Sequence, residues 1–112
     1  MTPQNIITSA VKNMPTNRIE GFKSDMEKAL NYAESIITYK TASDEEKCNS
    51  QRMLERLSNI MFFYFQQGGM KKTDWEKVDR TYSSIGEKHW NQFKCLIELK
   101  DEILQIIKEK EA

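Results

Sequence analysis

A single histidine, two cysteines, two prolines and four glycines set the first limits on this 112-residue chain. With His89 alone, neither an HExxH zinc motif nor the paired carboxylate–xx–His ligands of a di-iron bundle can be assembled. Cys48 and Cys95 lie far apart with no CxxC, which removes the usual structural zinc frames. Two cysteines are also too few for a secreted domain held by disulfides. The expectation is two reduced thiols in a cytoplasmic protein, with one Cys48–Cys95 disulfide as the alternative. No stretch approaches the ~20 apolar residues of a membrane span, and the N-terminus has no apolar run of signal-peptide type. Gly68-Gly69 lacks the GxxxxGK[ST] frame of a phosphate loop.

Excess charge of either sign is missing too. Lys plus Arg equals Asp plus Glu at 17 each, and the balance holds in both halves of the chain. There is therefore no basic or acidic region to steer nucleic acid or an anionic membrane from a distance, and little self-repulsion against self-association.

What remains is helical. An apolar share of 38% beside a charged share of 30% suits amphipathic helices with wide solvated faces. Thr2-Pro3 reads as N-cap and first helical position, opening a short stripe of Ile6, Ile7, Ala10, Val11 and Met14 that Pro15 ends. A second amphipathic helix runs from about Asn17 to Lys40 on Ile19, Phe22, Met26, Leu30, Ala33, Ile36 and Ile37. Within it Gly21 either weakens the first turns or admits a close neighbour. The third helix, Asp44 to Gln67, opens on a Ser43/Glu46 capping box and closes at Gly68-Gly69. Its run Ile60-Met61-Phe62-Phe63-Tyr64-Phe65 turns through more than a full revolution at about 100° per residue. Such a segment is apolar on every side, so the expectation is burial on every side, at a bundle centre or in an oligomer interface.

Thr73 and Glu76 repeat the capping-box pattern, and Trp75, Val78, Tyr82 and Ile85 follow at helical spacing. Ser83 to Gly86 predicts a break or kink, with a fifth helix from about Glu87, the alternative being one helix that runs on to about Lys110. There, one seam through His89, Gln92, Leu96, Leu99, Ile103 and Ile106 is joined by a second of Trp90, Phe93, Ile97, Leu104 and Ile107. The C-terminal helix should therefore pack on two sides, and its polar end from Lys108 should fray. The fold class is all-α: one domain, a compact antiparallel bundle of four to five helices, with a shared-core homodimer to satisfy the surplus apolar faces.

Chemistry is sparse. His89 beside Gln92 on the seam reads as a polar layer that fixes register sooner than as a general base. Glu76-xx-Asp79 and Glu98-xx-Asp101 are similar to the ExxE…ExxD helices of all-α nucleotide pyrophosphohydrolases, which bind Mg²⁺ through oxygen ligands. Four residues carry that resemblance, and Glu98 and Asp101 fall at outward positions, so a solvated face is expected. No catalytic residue, metal ligand or cofactor is expected. A helix–turn–helix reading of 74–93 would place Lys88, Asn91 and Gln92 where side chains can read base edges, but phosphate-contacting cations nearby are few.

Large apolar side chains are in surplus, with five Phe, four Tyr, two Trp and six Met on so short a chain. Aromatics anchor interfaces and methionine adapts to irregular partners. The expected function is therefore a non-enzymatic protein-binding regulator or inhibitor acting by occlusion. Phage- and mobile-element inhibitors, immunity proteins and adaptors are of this type. Phe62, Phe63, Tyr64, Phe65, Trp75, Tyr82 and Trp90 are the interface candidates.

Overall fold

The computed structural model describes residues 2–38, 44–82 and 89–111, the side chains of 36–38, 44–50 and 80–82 lying outside that description. Five helices make up these residues: α1 (Pro3–Lys12), α2 (Thr16–Thr38), α3 (Asp44–Gln67), α4 (Lys72–Tyr82) and α5 (Trp90–Glu111). No strand occurs among them. The expected division of the C-terminal region holds, since α4 and α5 are separate elements packed on each other. Ser83, Gly86, Glu87 and Lys88 lie outside the described residues, as does Ser43 of the capping box expected for α3.

Local chemistry explains several of the helix ends. Thr2 caps α1 by accepting from the Asn5 N–H at 3.2 Å, and Pro3 takes the first helical position. At the end of α3 the Met70 N–H reaches the Phe65 carbonyl and the Gly69 N–H that of Gln66, which is a Schellman motif. Gly69 supplies the left-handed residue the motif requires, at φ +94°. Gly68 is needed for another reason: a Cβ there would lie 1.8 Å from the Ala10 carbonyl oxygen, so α1 rests on bare backbone.

Two ends depart from expectation. α4 starts at Lys72, two residues earlier than a Thr73/Glu76 box would place it, and Asp74 closes the turn by accepting from the Lys71 N–H at 3.3 Å. The end of α5 does not fray. It is helical through Glu111, and Lys110 donates to the Lys12 carbonyl left open at the end of α1.

The largest fully buried side chains include Phe22, Phe65 and Phe93 with Met26, Leu54, Leu96 and Ile103. Phe65 meets Phe22 edge to face at 5.5 Å and Trp75 at 5.3 Å between ring centroids. α5 packs against α1, α2 and α4, and buries positions on both of its seams, including Leu96, Leu99, Phe93 and Ile107. It is the helix the others gather round. α3, expected at a bundle centre or in an oligomer interface, stands at the side of the chain's own core, and its apolar run is not buried all round within the chain: Met61 and Phe65 are fully inside, whereas Ile60 and Phe63 are 41% and 52% exposed. Among the described residues no helix is long and apolar enough to cross a membrane.

Candidate interaction surface

The outward side of α3 follows from its own periodicity. At about 100° per residue, Ile60 stands 20° from Met53 around the helix axis, and Phe63 a further 60° on. These three are the exposed large hydrophobic residues among those described. Arg52 and Arg56, both exposed, share that side, with Arg56 falling between Ile60 and Phe63 in rotation. A third cation comes from α2, where the Arg18 guanidinium lies 5.8 Å from the centroid of the Phe63 ring. Arginine over an aromatic face is a favourable arrangement that also holds the ring in place.

Beside this stripe the helix turns inward through Tyr64. Its ring meets Phe22 at 5.6 Å, and its hydroxyl donates to Asp25 Oδ2 at 2.7 Å. Phenol donation to a carboxylate holds the Tyr64 pKa above its ordinary value of 10.0, with burial and the Asp25 charge adding to the effect and Arg18 opposing it. Gly21 is the close approach that makes room, since a Cβ there would come within 3.0 Å of the Tyr64 hydroxyl.

The interface candidates separate by position. Phe65 and Trp75 are core residues, 0% and 4% exposed, and present nothing to a partner, which corrects their place among the candidates. Phe62, Tyr64 and Trp90 are half-buried against the core, and Lys94 Nζ lies 5.8 Å from the Trp90 ring centroid. Phe63 is exposed. The side chain of Tyr82 lies outside the described residues, as does that of Cys48, while Cys95 is buried. Met53, Ile60 and the three arginines belong to this surface but not to the expected set. For the residues of α3 the signal was rotational position, visible only once one side of the helix is known to be uncovered.

His89 and Gln92 do form a polar layer, larger than the seam alone suggests. Trp75 Nε1 donates to Ser58 Oγ at 2.9 Å, Ser58 donates to Gln92 Oε1 at 2.8 Å, and Gln92 Nε2 returns to the Trp75 carbonyl at 2.9 Å. The ring ties α3, α4 and α5. His89 Nδ1 also meets Gln92 Oε1 at 2.8 Å, and because that oxygen accepts, Nδ1 is the donor. The backbone of His89 is left-handed at φ 73°, with its N–H donated to Asp79 Oδ2 at 3.1 Å. Asp79 Oδ1 and His89 Nε2 are buried with no hydrogen-bond partner among the described residues.

The base-reading pair of the helix–turn–helix reading is inside the bundle. Asn91 and Gln92 are 3% and 2% exposed, and Gln92 is committed to the polar layer, so neither is placed to reach a base edge. Lys88 lies outside the described residues. Glu76, Glu98 and Asp101 are exposed, while Asp79 faces His89. Among the described residues no three His, Cys, Asp or Glu side chains converge as metal ligands. An open cleft of about 340 Å³ between α1 and the α3–α4 turn includes Ser9, Asn13, Asp74 and Lys77 in its lining.

No protein-family model, curated protein or solved structure matches this chain.

Proposed function

We propose that this chain is a small, non-enzymatic, cytoplasmic protein-binding regulator or inhibitor. It acts by occluding a macromolecular partner, in the manner of phage- and mobile-element inhibitors, immunity proteins and adaptors. The observation that carries this is the exposed stripe of Met53, Ile60 and Phe63 beside a core that the chain fills by itself. An isolated exposed apolar residue is ordinary, but three on one helical stripe form a patch with a direction. Phe63, with Arg18 over its ring, has the chemistry of an interface anchor.

Affinity capture from lysate of the source cells tests the reading, run with and without nuclease, at low and high salt, and with a Phe63→Ser variant in parallel. The expected result is a stoichiometric protein that survives nuclease and salt and is lost with Phe63→Ser. An apolar interface responds weakly to salt, whereas a phosphate-dominated one collapses. Recovery that depends on nucleic acid, or is indifferent to Phe63, overturns it. Should the captured protein be a second copy of the chain, the partner is itself and the product a homodimer.

A further inference from the structure

We infer that the stripe on α3 receives a short amphipathic helix whose flanks are acidic. The inference rests on the protein-binding reading above and specifies the chemistry of its partner.

Spacing comes first. Met53, Ile60 and Phe63 follow one another at seven and three residues, the seam that one helix offers another, over about 15 Å of axis. Around Ile60 and Phe63 the flanking charges are cationic. Arg52 and Arg56 flank the stripe on α3, and Arg18 flanks it from α2. The acidic neighbour in sequence, Glu55, sits about 100° further round the helix than Arg56. Asp25, on the inner side, is engaged by the Tyr64 hydroxyl. In a chain whose charges sum to zero, 17 against 17, these three cations gather beside the apolar stripe. The cations are all arginines, whose planar fork pairs with a carboxylate through two hydrogen bonds and loses little hydration in doing so. An apolar centre with a guanidinium rim is complemented by an apolar centre with a carboxylate rim.

The other occupants fit less well. In a twofold dimer the same surface is used on both sides, so the three guanidiniums around Phe63 would face three. Standard interfaces also bury ~800 Å² per partner, more than three partly exposed side chains provide. A single nucleic-acid strand could stack a base on Phe63, but it requires a basic track along its backbone, and the balanced surface elsewhere offers none.

The test uses the full chain and three probes. One is a helical peptide of about 16 residues with leucines at helical spacing and glutamates on both flanks. The second is the same peptide with lysines for glutamates, and the third is a single-stranded oligothymidine. The glutamate peptide is expected to bind, shifting backbone amide resonances along α3 from Arg52 to Gln67 and near Arg18. The lysine peptide is expected to bind at least ~10-fold more weakly. In an Arg52→Glu/Arg56→Glu variant, whose melting should match the parent because both sites are exposed, the preference is expected to invert. Equal binding of the two peptides, binding of neither, stronger binding of the oligothymidine, or shifts confined to another surface overturns the inference. Its failure is distinguishable from failure of the broader reading. A captured cellular protein lost with Phe63→Ser but retained by Arg52→Glu/Arg56→Glu leaves protein binding standing and removes the acidic helix. A partner indifferent to both variants removes both.

Discussion

The Tyr64 hydroxyl is held by Asp25 at 2.7 Å and stands where Gly21 has no side chain. Ionising that phenol would set two negative oxygens against each other, so the proton is retained to a higher pH than the ordinary 10.0. The consequence for stability follows in sign. The folded pKa is the raised one, so the contribution of this bond is complete below about pH 10 and is lost as pH climbs through the raised value. Because the pair is only partly buried, the bond is worth about 0.5 kcal/mol, the low end for a hydrogen bond. Ultraviolet titration of the four tyrosines is expected to show one ionising at lower pH in Asp25→Ala than in the parent. Superimposable curves would show that the contact does not control the proton. Gly21 itself was legible in the sequence only as an ambiguity, a weak helix residue or a close approach, and it took the position of residue 64 to decide.

At the scale of the elements, the ring of Trp75, Ser58 and Gln92 determines how α3, α4 and α5 meet. Each of its bonds lies in the interior, where a donor or acceptor left without a partner costs more than the bond itself contributes. Gln92→Leu would leave the Ser58 hydroxyl, the Trp75 carbonyl and His89 Nδ1 without the amide that now joins them. A loss of about 3 kcal/mol is expected from denaturant unfolding, against less than ~0.5 kcal/mol for Gln105→Leu on the exposed side of the same helix. Equal small losses would mean that water replaces the amide and the layer is not sealed. Part of this layer was readable in advance: His89 and Gln92 interrupt an apolar seam, and a polar pair there implies register control. Ser58 and Asp79 were not readable, because a serine in a helix and an acid in a charged helix look like surface until a neighbour faces them. Gly86, read as part of a break or kink, lies outside the described residues; just before α5, His89 adopts the left-handed conformation, held by Asp79 at its N–H and Gln92 at its ring. A non-glycine residue keeps such a backbone when surrounding bonds over-determine it.

At the scale of the whole molecule, two helices of similar apolar content occupy different places, and periodicity alone does not separate them. α5 carries its apolar residues as two adjoining seams and is covered by three neighbours. α3 carries six in succession, and a run that circles a helix must leave some of them on whichever side the fold does not cover. From sequence, a charge at Phe63 would have been expected to unfold the protein or abolish a dimer. With Phe63 52% exposed and Phe65 fully buried two positions later, the two sites should respond oppositely. Phe63→Asp is expected to fold with stability within ~0.5 kcal/mol of the parent once the modest loss of the Arg18 contact is allowed for. Phe65→Asp places an unpaired carboxylate between Phe22 and Trp75 and is expected not to fold. Circular dichroism with thermal melting reads both. If Phe63→Asp also unfolds, the exposed side of α3 is covered in solution by something the protein needs in order to fold, and the second copy returns as the occupant to test. If it folds and no longer captures a partner, stability and recognition are carried by different residues of one six-residue run: Met61 and Phe65 for the fold, Ile60 and Phe63 for the contact.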